Sequence, residues 1–461
     1  MADKLLVRSY NVGCGDCIYV RIPGKNKGFH ILIDCGTKAI AALLKPAIEH
    51  IAANLLPPGQ KPGTKRLDLL VATHRHEDHI KGFDPAWFKD IDVRNVWLSV
   101  AMDDTHPQSG KVRKLHAAAT RAMRALAATG LPMSPQAELL MSMYGVSNDV
   151  ADDFLLKQIP AQTGTPPTFV HSGIAPQTLA LDLPAQTEIH VLAPEKDVDG
   201  FYLGAEADES LRNLDGASAP LGAAAPASVT PANISAADFR VLQSRMLSDG
   251  LAFAAKDTSI QNNLSVVLLI VWKKRRLLFV GDAEWDREYF ENGKHNGSWN
   301  VMWKQHSAGL LSAPLDFLKV GHHGSVNATP PPVTERNPAK KTIPGEPSVY
   351  QILDTLLPVP PPGQQPTAKA IISTQREPYA PIPEGKLLVE LARRVSNTTT
   401  YGDRLRAQSI DPTSIWVSTN ARKHGFYENY EKRDLDTPQP LRTDLEFLLT
   451  GQNYIDVEIE P

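Results

Sequence analysis

The 461-residue chain contains little cysteine: Cys14, Cys17 and Cys35 are the only three. Three cysteines cannot build a disulfide framework, which excludes the small secreted folds that disulfides stabilise. Cys14 and Cys17 are spaced as a CxxC pair, but a zinc site of that type needs a second pair of ligands that the sequence lacks. We therefore interpret the three cysteines as small buried residues of the first strands.

Long apolar runs are also missing. No stretch of about 18 apolar residues occurs, so the sequence predicts no membrane span and no membrane partner. Residues 1–16 (MADKLLVRSYNVGCGD) do not contain the apolar segment of a signal peptide. The expected location is therefore the cytoplasm.

Neither sign of charge is in excess. The 48 basic and 51 acidic side chains nearly cancel, which argues against avid, sequence-independent binding of long duplex nucleic acid, although a local basic groove stays open. With 42% hydrophobic and 21% charged residues, the composition is typical of a globular protein with one large domain and insertions, or with two domains.

Apolar segments bounded by turn residues predict an alternation of strands and helices. Strands are predicted at 4–11, 16–22, 28–34, 67–73, 187–194, 264–272, 277–280, 317–320, 369–375, 415–420 and 454–460, and helices at 38–55, 111–129 and 384–395. The first three strands are expected to be antiparallel. Residues 216–237, rich in Ala, Pro and Ser, are predicted to be a mobile loop or linker, with an ordered element as the alternative. Residues 273–276 (KKRR) are interpreted as a solvated hairpin tip, with a phosphate-contacting patch as the alternative.

Potential metal ligands are concentrated where the strand 67–73 ends. Three histidines and two carboxylates fall within six residues there: His74, His76, Glu77, Asp78 and His79. His74 and His76 alternate in an extended segment, so both can face one metal. Asp78 and His79 follow a turn later and can reach a second cation. Burying these groups without a metal would leave polar atoms desolvated and unsatisfied, so the pattern predicts a metal site.

Two further strand ends carry residues of the same kind. Two neighbouring cations need an anionic bridge, and Asp282 follows a glycine directly after the strand 277–280. The strand 317–320 is followed by His322 and His323. A Gly-Asp pair alone is a common turn, and a double histidine alone is as often structural as functional. Three strand ends that each carry ligands favour one shared site.

The order of these motifs resembles the metallo-β-lactamase-fold hydrolases. The matching pieces are Asp34 in LIDCGT, HxHxDH at 74–79, Asp282 in VGDAE, and HHGS at 322–325. The segments NVGCGDC, NNLSVVL and KVGHHGS are similar, more narrowly, to the branch that contains the hydrolase domain of the bacterial DNA-uptake competence channel protein. The resemblance covers 5–90 and 258–330 well, fits the C-terminal part loosely and does not extend to 100–255.

This resemblance implies a four-layer αββα sandwich of the α+β class, with the metals at one edge of the two sheets. The two halves of the metallo-β-lactamase fold would be residues 1–99 and 258–461. Residues 100–257 would form a long insertion or cap that is partly helical.

The resemblance also implies roles for individual residues. The first metal would be held by His74, His76 and Asp282, and the second by Asp78, His79, Asp282 and one of the two histidines at 322–323. Asp34 would orient a histidine or the loop. Because His322 is nearer the end of its strand, we predict His322 as the second-metal ligand and His323 as a donor that faces the substrate.

One departure from the wider fold concerns the first metal. Many members supply a third histidine just before the Gly-Asp strand, whereas this sequence, like the competence branch, has Asn262 and Asn263 there. We predict that Asn262 takes that place, with His190 as the alternative. A site poorer in nitrogen is expected to accept Mn²⁺ as well as Zn²⁺, so the predicted cofactors are two divalent ions of these metals.

The predicted function is that of a dinuclear metal-dependent hydrolase. Two cations about 3.5 to 4 Å apart lower the pKa of a bridging water, so that a hydroxide is available near neutral pH. Asp78, His323 and Asp34 are the residues expected to support catalysis beside the metals. A phosphodiesterase or nuclease is favoured, because a two-metal centre suits phosphoryl displacement and the resemblance is to a DNA-handling domain.

The expected partner is accordingly a phosphodiester such as a nucleic acid or a nucleotide, and the oligomeric state is not predicted. Two other functions remain open. The first is hydrolysis of a lactone, a thioester or another acyl substrate, which the same fold also hosts. The second is a metal-binding sensor or partner-recruiting module in which residues 100–257 are the working part.

Overall fold

The structure is a computed structural model, and it describes the greater part of the chain. The described residues are 4–38, 41–128, 140, 144, 146–179, 181–203, 254–286, 296–331, 348–375, 382–412 and 435–461. The predicted linker at 216–237 and the predicted strand at 415–420 lie outside them.

Ten of the described strands begin and end close to predicted positions. The strands are β1 (Leu5–Tyr10), β2 (Cys17–Ile22), β3 (Phe29–Cys35), β4 (Lys65–Leu67), β5 (Leu69–Ala72), β6 (Ile91–Val93), β7 (Val96–Ser99), β8 (Thr168–Val170), β9 (Thr187–Ala193), β10 (Val267–Trp272), β11 (Arg275–Phe279), β12 (Phe317–Val320), β13 (Lys369–Ile372), β14 (Thr398–Thr399), β15 (Gln439–Arg442) and β16 (Tyr454–Ile459). Of these, β4, β6, β7, β8, β14 and β15 were not predicted.

The three predicted helices are confirmed, with others between them. The helices are α1 (Leu44–Asn54), α2 (Glu77–Ile80), α3 (Pro85–Phe88), α4 (Gly110–Ala128), α5 (Val146–Asp153), α6 (Ile159–Thr163), α7 (Ser298–His306), α8 (Ile352–Leu356), α9 (Gly385–Ala392), α10 (Tyr401–Ala407) and α11 (Thr443–Thr450). Residues 254–263 are also helical. No helix in these ranges is both long and apolar enough to cross a membrane.

Two large mixed sheets form the centre of the molecule. The first has the order β16-β1-β2-β3-β5-β7-β8 and the second the order β14-β15-β13-β12-β11-β10-β9. In the first sheet β1, β2 and β3 are antiparallel, as predicted, and β3, β5, β7 and β8 run parallel. The second sheet repeats this plan: β9, β10 and β11 are antiparallel, and β11, β12 and β13 are parallel.

Three apolar clusters show how the layers stack. One cluster packs the first sheet against α1, for example Leu32 against Ile48. A second joins residues of both sheets, among them Val20 and Leu268. A third packs the second sheet against α7 and α8. The order helix, sheet, sheet, helix is compatible with the predicted α+β sandwich, because each sheet buries both of its faces.

The section predicted as an insertion at 100–257 contributes to both sheets. β8 pairs with β7 at the edge of the first sheet, and β9 pairs with β10 at the edge of the second. The amphipathic pattern at 111–129 corresponds to α4. At least the strands of this section therefore belong to the sheets and do not lie outside them.

Lys273 and Lys274 form the turn of the hairpin between β10 and β11. They are exposed and have φ values of 48° and 71°. Two successive residues in the left-handed region are typical of the tight turn that matches the twist of a hairpin. The first half of the KKRR segment is thus a hairpin tip, as interpreted, whereas Arg275 and Arg276 are half-buried and pair with β10 as the first residues of β11.

All three cysteines are free and buried, as expected for small core residues. Cys17 and Cys35 are partners in register across β2 and β3. They lie directly beside the edge of the sheet where β3 and β5 end.

Candidate metal centre

The predicted ligands come together because parallel strands end at one edge. β5 leads into His74, β11 into Asp282 and β12 into His323, and each of these side chains is buried. Neighbouring parallel strands present their carboxyl ends on the same side of a sheet. The sequence motifs, which are separated by up to 249 positions, therefore meet in one place.

Asp34 fixes the loop that carries the histidines. Its carboxylate accepts hydrogen bonds from the Thr73 backbone N–H at 2.7 Å and from the Thr73 hydroxyl at 2.8 Å. His79 Nδ1 lies 2.7 Å from Asp34 Oδ2. Asp34 itself has a φ of 56°, a left-handed conformation that costs free energy in a non-glycine residue and is concentrated at functional sites. Asp34 thus contacts both the loop and a histidine.

Gly36 allows the turn of α2 to pack directly on the end of β3. A Cβ atom at position 36 would lie 2.3 Å from the carbonyl carbon of Asp78 and 2.3 Å from the backbone nitrogen of His79. Any side chain there would push α2 away from the sheet, together with both ligands. The glycine of the DCG motif therefore sets the position of Asp78 and His79.

Two sets of potential ligand atoms share one carboxylate. The first group is His74, His76 and Asp282, and the second group is Asp78, His79, Asp282 and His323. All of these residues are buried, and within each group the ligand atoms lie within 4.8 Å of one another. Either group could hold a metal ion.

The two oxygens of Asp282 face different groups. Oδ2 lies 3.8 Å from His74 Nε2, and Oδ1 lies 3.1 Å from His79 Nε2. A carboxylate that presents one oxygen to each of two neighbouring sites can bridge two cations. Asp282 therefore lies within reach of both groups, and its bridging role stays a prediction.

Hydrogen bonds to the scaffold turn each imidazole toward the site. His79 Nδ1 donates to the carboxylate of Asp34, and His323 Nδ1 donates to the backbone oxygen of Ser373 at 3.1 Å. His74 Nδ1 contacts the Ser265 hydroxyl at 3.2 Å. In each ring this leaves Nε2 facing the shared site, which is the arrangement by which proteins orient metal-binding histidines.

The geometry of the double histidine favours roles opposite to those predicted. His323 Nε2 lies 2.9 Å from Asp78 Oδ2, inside the second group. His322 belongs to neither group: its Nε2 is 3.8 Å from Asp282 Oδ2, and its Nδ1 is 3.5 Å from Glu284 Oε1. The reason is local backbone conformation. Both residues have positive φ, 41° and 53°, so the chain turns sharply after β12 and the second histidine points inward.

We expect the two histidines to respond differently to substitution. His323→Ala should lower the affinity for the second cation roughly 10 to 100-fold, because it removes a ligand. His322→Ala should leave the metal content near that of the wild type and lower turnover. Metal analysis after dialysis, combined with steady-state kinetics, measures both effects. Loss of metal in His322→Ala alone would restore the original assignment.

Burial and neighbouring charges shift the pKa values of the ligands in different directions. Burial lowers the pKa of His74 well below its usual value and that of His76 to about 3, so both rings are neutral. Burial would raise the pKa of Asp78, but Lys38 and His79 outweigh it and hold that pKa well below its usual range. Burial would lower the pKa of His79, but the carboxylates of Asp282, Asp34 and Asp78 outweigh it and hold that pKa well above its usual value, so this ring must release a proton to bind a metal.

Several buried polar atoms are left without a hydrogen bond of acceptable geometry within the described part of the chain. They are His76 Nε2, Asp78 Oδ1, His79 Nε2, and Oδ1 and Oδ2 of Asp282. His79 Nε2 faces Asp282 Oδ1, and His323 Nε2 faces Asp78 Oδ2. Buried imidazole and carboxylate atoms that lack hydrogen bonds and converge on one place are the donors of a metal site, so the donor set fits a metal ion.

Asn262 lies beside the site, in contact with Glu284. Its Nδ2 donates to Glu284 Oε1 at 2.8 Å, and its Oδ1 is buried without a hydrogen bond among the described residues. Asn263 Nδ2 is 3.3 Å from Glu284 Oε2. The alternative ligand His190 is in β9, where its Nε2 contacts Glu188 Oε2 at 2.8 Å, and it belongs to neither group.

Sequence reasoning missed two buried lysines at the site. Lys38 Nζ lies 2.8 Å from Asp78 Oδ2, and Lys319 Nζ lies 2.8 Å from Asp16 Oδ1. Each of these side chains is at most 2% exposed. A signal was available for Lys319, which is the one charged residue in the apolar strand FLKV. A lysine inside a buried strand requires a carboxylate partner.

A third set of acidic and imidazole groups, Asp16, Asp34 and His79, lies on the far side of the His79 ring. Its members are already engaged: His79 with Asp34, and Asp16 with Lys319. We therefore interpret the third set as residues that hold the ligands of the first two groups in place. Comparison of the sequence with protein-family models and with curated proteins gave no match.

Proposed function

We propose that the protein is a dinuclear metal-dependent hydrolase of the metallo-β-lactamase fold. The observation that carries this proposal is the position of Asp282, whose two carboxylate oxygens face two separate groups of buried ligands. The first cation would be held by His74, His76 and Asp282, with Asn262 as a further oxygen donor. The second would be held by Asp78, His79, Asp282 and His323. Two divalent cations in these groups would supply a hydroxide near neutral pH and polarise the electrophile.

The residues of the chain would orient the site and move protons around it. Asp34 holds His79 and the loop at Thr73 in place through its three contacts. His322 is the histidine that remains partly exposed, at 14%, and its Nδ1 faces the Glu284 carboxylate. Burial lowers the pKa of His322, so its resting ring is neutral. We infer that His322 takes up the proton that the attacking water loses and passes it to the leaving group, with Glu284 orienting its ring.

A phosphodiester is the favoured substrate class. A pair of cations can stabilise both the attacking and the leaving oxygen of an in-line displacement at phosphorus. The buried ammonium of Lys38 adds a positive charge beside the second group, which favours an anionic substrate over a neutral ester. The substrate would then be a nucleic acid or a nucleotide.

Cleavage of bis(p-nitrophenyl) phosphate by the chelator-treated enzyme tests this function. We expect Mn²⁺ to restore a rate roughly tenfold above that with Zn²⁺, because an oxygen-rich donor set loses the preference that imidazole gives zinc. p-Nitrophenyl acetate and a simple lactone serve as matched acyl substrates. Preference for these would identify an acyl hydrolase, and metal binding without cleavage of any of them would indicate a sensor.

A further inference from the structure

Lys38 is held at the border of the second group by both its backbone and its side chain. It follows β3 by three residues, and its backbone N–H donates to the Cys14 oxygen at 2.8 Å. Its side chain is 2% exposed and places Nζ 2.8 Å from Asp78 Oδ2. The position of the ammonium is therefore fixed by the fold, because a buried ammonium requires a buried partner.

The ammonium of Lys38 and the ring of His323 approach the same oxygen. His323 Nε2 lies 2.9 Å from Asp78 Oδ2, and Lys38 Nζ is 2.8 Å from it. A cation coordinated by Asp78 and His323 would have to lie between these two atoms, within a few ångströms of the ammonium.

The other buried lysine provides an internal comparison. Lys319 Nζ is bound by both oxygens of Asp16, at 2.8 Å and 3.0 Å, and by the Val320 oxygen at 3.0 Å. Asp16 belongs to neither the first nor the second group. Lys319 can thus keep its partner when cations bind, whereas the partner of Lys38 is itself a ligand.

Two like charges cannot share one carboxylate oxygen in a buried site at low cost. At an effective dielectric constant of about 20, the repulsion energy of a monovalent and a divalent cation about 4 Å apart is roughly twice that of two monovalent cations at the same distance. The flexible four-carbon stem of lysine allows the ammonium to move away from Asp78. Binding of a cation to the second group therefore includes the work of displacing Lys38.

We propose that Lys38 competes with a divalent cation for Asp78, so that the second group binds its cation more weakly than the first. The Lys38 ammonium then takes the place of the second cation beside Asp78 when that cation is absent. Over a range of metal concentrations the enzyme therefore binds its first cation without the second. This inference rests on the proposed metal centre, but not on the reaction that the centre catalyses.

Calorimetric titration of the chelator-stripped full-length protein with Mn²⁺ tests the competition. The wild type should bind two cations in unequal steps, and Lys38→Met should strengthen the weaker step by roughly tenfold or more. Lys38→Arg, which keeps the charge, should retain the weak step. Lys45→Met is the matched control, since Lys45 is an exposed lysine, 57% accessible, near the start of α1. A Lys38→Met titration that superimposes on that of the wild type would overturn the inference, whereas absence of binding by every variant would overturn the metal centre itself.

Thermal unfolding provides a second measurement that does not depend on calorimetry. Without metal, Lys38→Met removes the ammonium beside the buried Asp78 carboxylate and leaves it only its imidazole contacts among the described residues, so the melting temperature should fall below that of the wild type. Addition of Mn²⁺ should raise the melting temperature more in Lys38→Met than in the wild type or in Lys45→Met. Equal shifts in all three proteins would contradict the competition. Lys38→Gln, which retains a polar side chain, replaces Lys38→Met if the latter fails to fold without metal.

Discussion

Replacement of Asp282 by alanine is expected to abolish turnover, with a loss of about a thousandfold or more, and to remove most of the bound metal. Asp282 is the residue common to both groups of ligands. Its loss would therefore take one ligand from each proposed cation, together with the carboxylate that the two groups of described residues share. Stabilisation of transition-state charge by a metal amounts to several kcal/mol, and each 1.36 kcal/mol is a factor of about ten in rate.

The fold should survive this substitution. Asp282 is buried beside other carboxylates and has no hydrogen bond through its side-chain oxygens within the described residues. Its backbone N–H donates to the Ser265 hydroxyl at 3.0 Å, and that bond is retained in the variant. Metal analysis, circular dichroism and activity should be measured together, with Asp90→Ala as an exposed-carboxylate control. Full activity with metal lost would refute the two-metal proposal.

Replacement of Lys319 by methionine is expected to lower the free energy of unfolding by about 3 to 5 kcal/mol. Lys319 and Asp16 form an ion pair that is at most 2% exposed, and it links β12 of the second sheet to the residue just before β2 in the first. Removal of one partner from a buried pair leaves an uncompensated charge. The free energy lost in this way exceeds the net stabilisation that the intact pair contributes. Urea unfolding followed by circular dichroism measures the loss.

The double variant Asp16→Asn/Lys319→Met is the control for this effect. It removes both charges, so it should be more stable than Lys319→Met alone. If the single and double variants are equally destabilised, the loss comes from the packing of the lysine stem and not from an unpaired carboxylate.

The strands and the ligand motifs could be predicted because they are local in sequence. β12 and β9 match their predicted starting residues, and the HxHxDH motif lies at a strand end, as expected. Apolar runs bounded by turns determine such segments, and a metal site needs ligands at short spacing. The presence of Asp282 in both groups could be predicted in the same way, because it also follows the end of an apolar strand.

The parts that could not be predicted depend on backbone turns and on distant pairing. Position relative to β12 favoured His322 as the ligand, but two residues with positive φ reverse the direction of the two side chains. Lys38 and Asp78 are 40 positions apart, and tertiary contacts such as the packing of Gly36 against α2 bring them together. The periodicity of apolar residues in the sequence predicts neither the direction of the two histidine side chains nor the contact between Lys38 and Asp78. The strands β8 and β9 lie in a section that the motifs do not cover, so their membership of the sheets was not evident.

The pairing of β1 with β16 has a consequence for how the molecule forms. Leu5 is the register partner of Ile459, and Arg8 donates to Asp456 across 448 positions of sequence. Strand β1 therefore keeps one unpaired edge until residues 454–459 have been synthesised. Such an edge is a template for pairing with other chains, and contacts between distant positions form slowly. Chains in which β16 has not yet formed thus expose this edge to aggregation, and an interruption of the chain before β16 leaves it open.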